Sequence, residues 1–379
     1  MANNKLENSP LTNVLFNKAS ANKIPLSGTF ELTPLCNFNC KMCYIKHSEK
    51  EIRCHKRKTR NLEDWKKLAE DAEQEGMLYL LLTGGEPLLW KDFWKLYEYL
   101  GEKPIAVSVN SNGSLIDKHA VECFKKNPPR RINITLYGAS DDTYKRLCRI
   151  EDGFQKVDRA IQLLLDAGIL VKLNCSLTPY NMADLEAMVS YANEKKLILD
   201  VSPYMFPPIR KEKFEIGVNE RFLPDEVAYW YLKSYQLRYE KQQYIEFLHT
   251  IKNEIELPEK IQEIDCKYLE GKIRCRAGNA AFWITWDGYM LPCGMMTNPK
   301  IDLNEIGFKK AWETVVEETG SIRLAGKCDN CKSNNICHSC AAMAYAETGD
   351  VKKVPTYMCN MVMAMDKLIN EQLKIYGAE

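Results

Sequence analysis

The chain has 379 residues, more than one ordinary domain needs, so a two-domain enzyme is the natural starting expectation. Its 52 basic and 51 acidic residues leave a formal net charge of +1, which argues against a protein whose main task is coating nucleic acid. Hydrophobic residues at 45% and aromatics at 10% can build a sizeable core and exclude wholesale disorder. The longest uninterrupted apolar run, Cys340 to Ala346, is seven residues, far short of a membrane span. The opening MANNKLENSP has no basic region followed by an apolar core. A cytoplasmic protein with no nucleic-acid or membrane partner is expected.

Residues 1–27 read as an N-terminal extension. From 28 to 208, short apolar runs alternate with amphipathic stretches. Candidate strands are Gly28–Leu35, Met77–Thr83, Ile105–Asn110, Ile132–Tyr137, Leu170–Leu177 and Ile198–Ser202. Between them, Asn61–Glu75 places Leu62, Trp65, Leu68 and Ala72 at helical spacing behind the N-cap candidate Asn61. Phe154–Ala167 carries another apolar face and stops at Gly168. Such alternation implies right-handed βαβ units and a parallel α/β sheet. On pattern alone, a closed or partial barrel and an open doubly wound sheet both fit. Residues 209–265 read as a helical connecting segment, with a run at Asp225–Lys241 that Pro224 suits as a start. From 266 to 379 cysteines, glycines and turn residues dominate, with short strands at Ala281–Trp286 and Gly288–Leu291 and a closing helix at Met358–Leu373. A stretch like that is expected to be held by metal more than by its core.

The 15 cysteines are unevenly placed. Without an export signal, clustered cysteines bind metal or do redox chemistry more often than they form disulfides. Cys36, Cys40 and Cys43 form C-x3-C-x2-C at the end of the first candidate strand, so three thiolates of one short loop can converge on one metal centre. Three ligands leave one iron of a cubane cluster open to an outside ligand. Structural zinc usually takes four ligands at other spacings.

The run Cys36-Asn-Phe-Asn-Cys40-Lys-Met-Cys43-Tyr44 resembles the signature of the radical S-adenosylmethionine (SAM) enzymes, with Met42 where many relatives carry an aromatic residue. The resemblance implies a partial (β/α)6 TIM-like barrel. It also implies a [4Fe–4S] cluster on Cys36, Cys40 and Cys43, whose open iron is chelated by SAM, and cleavage of SAM to a 5′-deoxyadenosyl radical. Further family positions fall on Tyr44 and on Thr83-Gly84-Gly85-Glu86-Pro87. There the glycines admit close backbone approach and Glu86 is expected to hold the SAM ammonium. Asn110 and Asn112 after the third strand and Ser176 after the fifth are expected SAM contacts, at strand ends where parallel barrels assemble sites. Arg146 or Arg149 is expected to meet the SAM carboxylate.

Farther on, Cys275, Gly288-x4-Cys293, Cys328-x2-Cys331-x5-Cys337-x2-Cys340 and Cys359 resemble the SPASM extension of radical SAM enzymes that modify peptides. The resemblance implies a small, cluster-stabilised SPASM domain. One auxiliary [4Fe–4S] cluster would sit on Cys328, Cys331, Cys337 and Cys359, and a second on Cys275, Cys293 and Cys340 with Cys266 as its fourth ligand. The competing reading is zinc, although five residues between the paired cysteines is shorter than the usual separation of roughly 15–20. His338 and the pair Met295–Met296 fall near these cysteines.

Weak candidates to donate a hydrogen atom or otherwise act catalytically are Cys148, Cys175 and Tyr204, for which packing is the better reading. The basic stretch Lys46–Arg60 is either a solvated loop or an attraction for an acidic peptide leader. The expected function is a peptide maturase that forms a thioether or carbon crosslink or oxidises a side chain. The alternatives are small-molecule or tetrapyrrole chemistry, and sulfatase maturation. Gly294 counts against the last, because those relatives carry an Asp after the cysteine matching Cys293. Expected partners are a peptide or protein substrate with or without a leader, an electron donor such as flavodoxin or ferredoxin, and a separate leader-recognition protein. The last follows because only 27 residues precede the first strand, too few for a fused recognition module.

Overall fold

The computed structural model describes residues 10–54, 59–211, 214–218, 220–255, 272–329, 331, 333–337 and 339–378. Six strands, β1 (Ser27–Glu31), β2 (Tyr79–Thr83), β3 (Ala106–Ser111), β4 (Arg131–Thr135), β5 (Val171–Ser176) and β6 (Leu199–Ser202), pair in parallel in chain order. Each overlaps its sequence-predicted span, with β1, β3 and β4 overrunning it by one residue, so the alternation of apolar runs was a sound guide. The helices of the first half are α1 (Pro10–Asn22), α2 (Glu49–Cys54), α3 (Leu62–Gln74), α4 (Phe93–Gly101), α5 (Lys118–Lys126), α6 (Asp141–Cys148), α7 (Gly153–Asp166) and α8 (Leu185–Glu194). Helix α1 was not anticipated. Its apolar residues do not gather on one face, Leu11 and Val14 being exposed, and it buries Phe16 and Ala19 beside Leu26 and Ala280.

Local sequence explains where elements begin. At α3, the Asn61 side chain accepts from the Asp64 N–H at 3.0 Å, and the Asp64 carboxylate accepts from the Asn61 N–H at 3.1 Å. This reciprocal cap satisfies two orphan donors and turns Trp65, Leu68, Ala69 and Ala72 into the core. That core runs through Phe30, Leu82, Val109, Ile134 and Leu173, all wholly buried, one layer from each of the first five strands.

The connecting segment holds α9 (Pro224–Gln236) and α10 (Lys241–Ile255), so the expected single helix breaks after Gln236. Then come β7 (Ala281–Ile284), β8 (Tyr289–Leu291), β9 (Ile301–Asp302), α11 (Leu303–Ser321), α12 (Gly326–Asp329), α13 (Asn334–Cys337), α14 (Ala341–Thr348) and α15 (Thr356–Tyr376). Strand β7 pairs in parallel with the free edge of β1, Ser27 opposite Ala281 through Phe30 opposite Ile284. The hairpin of the cysteine-rich region thus continues the barrel sheet, whose order is β6-β5-β4-β3-β2-β1-β7-β8-β9. Helix α15 packs back on α9 and α10, joining the end of the chain to the connecting segment.

Candidate active site

The C-terminal ends of the parallel strands surround a cavity of about 330 Å³, within the range that buries a drug-sized ligand. Cys36, Cys40 and Cys43 line it from the loop after β1, together with Tyr44, Gly84, Gly85, Asn110, Asn112 and Ser176. One cavity therefore gathers most of the residues singled out from the sequence.

The glycine pair is there for the backbone. Gly84 has φ +156°, and a Cβ on it would lie 2.5 Å from the Thr33 carbonyl oxygen; on Gly85 it would lie 2.3 Å from that of Leu35. The close approach lets the Gly85 N–H donate to Thr33 O at 2.7 Å and the Glu86 N–H to Leu35 O at 2.8 Å. The turn after β2 thereby fixes the chain just before Cys36. From the other side, the end of α6 accepts the loop: Asn39 N–H donates to the Cys148 carbonyl at 2.9 Å and Lys41 N–H to Leu147 at 3.1 Å. Unsatisfied carbonyls at a helix end are natural acceptors for such a loop.

Glu86 departs from expectation. Its carboxylate is wholly buried and does not line the cavity. It accepts from Ser111 Oγ at 2.9 Å, Asn112 N at 2.8 Å and Leu88 N at 3.2 Å. Burial pushes it up to about 7 against the pull of these three donors. It acts on the cavity through Asn112, whose side-chain amide reaches Asn37 Oδ1 at 2.9 Å and Cys36 Sγ at 3.6 Å. Arg146 is exposed, donates to Thr143 Oγ1 at 2.8 Å, and does not line the cavity; Arg149 is exposed as well. Neither is placed to meet a ligand there, because both lie on or just past the solvent side of α6.

The three catalytic candidates sit outside the cavity lining. Cys148 is fully buried beside Cys40, Cys175 packs its sulfur 3.9 Å from that of Met188, and the Tyr204 hydroxyl donates to Glu347 Oε1 at 2.7 Å. Burial raises both Cys148 and Cys175, the latter to about 12.

Several lining or supporting residues were not foreseen. Met205 and Phe206, just past β6, and Met295, after β8, close one side of the cavity. Asn181 is wholly buried and donates to the carbonyls of Tyr137 at 2.9 Å and Ser176 at 3.1 Å, pinning two lining residues. The Thr-Pro-Tyr-Asn turn after β5 was its only signal. Arg210 forms a two-pronged pair with Glu31 at 2.8 and 2.9 Å, and Trp283 Nε1 donates to the same carboxylate at 2.9 Å. Burial opposes the charge of Arg210, yet Glu31 holds its protonation above the ordinary range.

In the C-terminal region a cavity of about 420 Å³ is lined by Cys275, Cys328, Cys331, Cys337, Cys340 and Cys359, and an adjoining groove by Cys275 and Cys293. The thiols divide by proximity. Cys340 faces Cys275 and Cys293, whereas Cys337 faces Cys359, Cys328 and Cys331. Cys266 and His338 lie outside the described residues. Among the described residues, no three side chains of His, Cys, Asp or Glu close on the position of a single metal ion. Six cysteines line the one cavity, and thiolates are the donor set that a cluster of several iron atoms takes. Burial pushes Cys36 up to about 12 and Cys337 to about 11, so metal binding there must displace protons.

Comparison with known proteins bears on the same residues. Residues 30–192 match the Radical SAM superfamily. This stretch is a radical SAM domain. The chain is accordingly an enzyme of radical chemistry, and the superfamily works with SAM and a [4Fe–4S] cluster. Over 344 residues it is 23% identical to an AdoMet-dependent heme synthase of Methanosarcina barkeri, spanning 86% of this chain and 94% of that protein. Over 166 residues it is 30% identical to the antilisterial bacteriocin subtilosin biosynthesis protein AlbA of Bacillus subtilis, spanning 44% of this chain and 36% of that one. Streptococcus suis SuiB bound to precursor peptide SuiA shares the fold, with a TM-score of 0.63 at 18% identity over 94% of this chain and 80% of that chain. Among the described residues no helix is long and apolar enough to cross a membrane.

Proposed function

We propose that this radical SAM enzyme modifies a peptide or protein side chain, forming a thioether or carbon crosslink or oxidising the side chain. The observation that carries this reading is the placement of a second cysteine set behind the strand-end cavity. Phe206 and Met295 line that cavity and pack, as Cys293 and Cys340 do, against the cluster of Met296, Ala341 and Ala342. In SuiB the same fold holds a precursor peptide.

Cys36, Cys40 and Cys43 would hold the SAM-binding [4Fe–4S] cluster. Cys328, Cys331, Cys337 and Cys359 would hold one auxiliary cluster, and Cys275, Cys293, Cys340 and Cys266 the other. When bound, SAM and its cluster would supply hydrogen-atom abstraction chemistry, and auxiliary clusters on the other two cysteine sets would supply an acceptor for an electron. The chain's own residues do the positioning. Gly84 and Gly85 bring backbone to the cavity, Asn112 orients the loop of Cys36, and Tyr44, Asn110 and Ser176 present polar atoms at its wall. A reduced flavodoxin or ferredoxin would supply the electron, and a separate leader-recognition protein would bring a leader-bearing substrate.

A second reading, tetrapyrrole side-chain chemistry, is favoured by the near full-length likeness to the heme synthase. Sulfatase maturation is disfavoured at Gly294, where a Cβ would lie 2.8 Å from the Trp283 ring and leave no room for an acid. The test is mass spectrometry of a short peptide, encoded beside the gene, after co-expression with this chain. Loss of two hydrogen atoms per new bond is expected. An unmodified peptide, with conversion of a coproporphyrin instead, would favour the second reading.

A further inference from the structure

The cavity has two chemically distinct sides. Asn110, Asn112 and Ser176 present polar groups from the ends of β3 and β5, whereas Met205, Phe206 and Met295 present an apolar wall from the segments after β6 and β8. The wall is fixed from behind. Phe206 packs edge-on against Tyr204 with ring centroids 5.1 Å apart, and Phe206 and Met295 rest on the cluster of Met296, Ala341 and Ala342.

Three cations lie on segments that flank the cavity, and each donates to an internal acceptor. Lys46 Nζ donates to the Phe38 carbonyl at 2.5 Å, and Lys211 Nζ donates to the Lys46 carbonyl. Arg210 holds Glu31 at 2.8 and 2.9 Å. None of the three is among the residues that line the cavity. An apolar side chain set against the wall would gain by leaving water.

We propose that the substrate group seated beside SAM in this cavity is an uncharged apolar side chain of a polypeptide, held against Met205, Phe206 and Met295. This deepens the peptide-modifying reading and rests on it.

The test uses the full-length, cluster-reconstituted protein with SAM and calorimetric titration. The probes are the heptapeptides Gly-Ser-Gly-X-Gly-Ser-Gly with X as Leu, Met or Asp, together with GTP and coproporphyrin III. The Leu and Met peptides are expected to bind about tenfold or more tightly than the Asp peptide, the ratio that burial of one such side chain supplies. Deuterium from a perdeuterated Leu or Met is expected to appear in 5′-deoxyadenosine. Phe206→Lys should reverse the preference between the Leu and Asp peptides, and Met205→Lys should do the same if the first variant does not fold. Circular dichroism and iron content check each variant. Equal binding of Leu and Asp peptides, or no binding of either, overturns the inference while leaving SAM chemistry intact. Tight binding of coproporphyrin III with none of the peptides overturns both this inference and the peptide reading.

Discussion

The barrel and the cysteine-rich region solve opposite problems. In the barrel, five consecutive strands each contribute a wholly buried residue to one core, and the cavity sits on the ends of strands that this core already holds in place. In the C-terminal region the strands are two to four residues long and the helices α12 and α13 four residues each, yet six cysteines face one cavity. Elements that short cannot bury enough surface to stabilise themselves. The barrel is a fold that carries a site. The C-terminal region gathers cysteines on such short elements, is anchored by the long helices α11 and α15, which bury Phe308, Trp312, Met358 and Ile369, and is sewn to the barrel by the pairing of β7 with β1.

The largest expected effect separates the two regions directly. Replacing Cys36, Cys40 and Cys43 together with alanine should abolish SAM cleavage and lower iron by about four per chain, with the C-terminal iron retained. Retained cleavage, measured as 5′-deoxyadenosine, would break the assignment.

Next comes the seam between the regions. Arg221 and Glu347 are almost fully buried and paired at 2.6 and 2.8 Å, with the Arg221 guanidinium 3.9 Å from the centre of the Tyr357 ring. Arg221→Met would leave Glu347 buried without its cation, at a cost of about 3–5 kcal/mol. A denaturation midpoint unchanged from the parent would show that the seam is held by something else.

A smaller cost is expected inside the barrel. Gly85→Ala meets the Leu35 carbonyl and should destabilise by about 1–3 kcal/mol while weakening SAM binding, because the loop before Cys36 must shift. Titration of SAM into that variant checks it.

The smallest effect is a pH dependence. Burial raises Cys36 from its ordinary 9.0 to about 12 and Cys337 from 9.0 to about 11. Groups raised on folding favour the metal-free fold below the unfolded value, and that contribution fades as pH climbs through the folded one. Metal-free protein should therefore lose thermal stability between pH 9 and about 11 to 12, whereas metal-loaded protein, its thiols already deprotonated, should not. Parallel melting curves in that window decide it.

What the sequence made legible was local or motif-bound. Alternating apolar runs located all six barrel strands, and Asn61 marked the start of α3 through a contact only three residues long. Cysteine spacing picked out thiols that the fold brings together from as far apart as Cys275 and Cys340. Side-chain direction was not legible. Glu86 turns into the core because Ser111 and Asn112 meet it from β3, and Arg146 faces solvent from α6. Nor were contacts between distant segments. Arg210 finds Glu31 across 179 residues and Trp283 finds it across 252, and no short-range pattern encodes either meeting. Helix α1 escaped because its apolar positions do not fall on one face.

Iron and zinc per chain, measured after anaerobic reconstitution, test the division between the two regions most directly. About twelve irons and no zinc are expected, one four-iron cluster in the barrel and two in the C-terminal region. About four irons with one or two zincs would mean that the C-terminal cysteines serve a structural zinc site, and would contradict the assignment of auxiliary clusters.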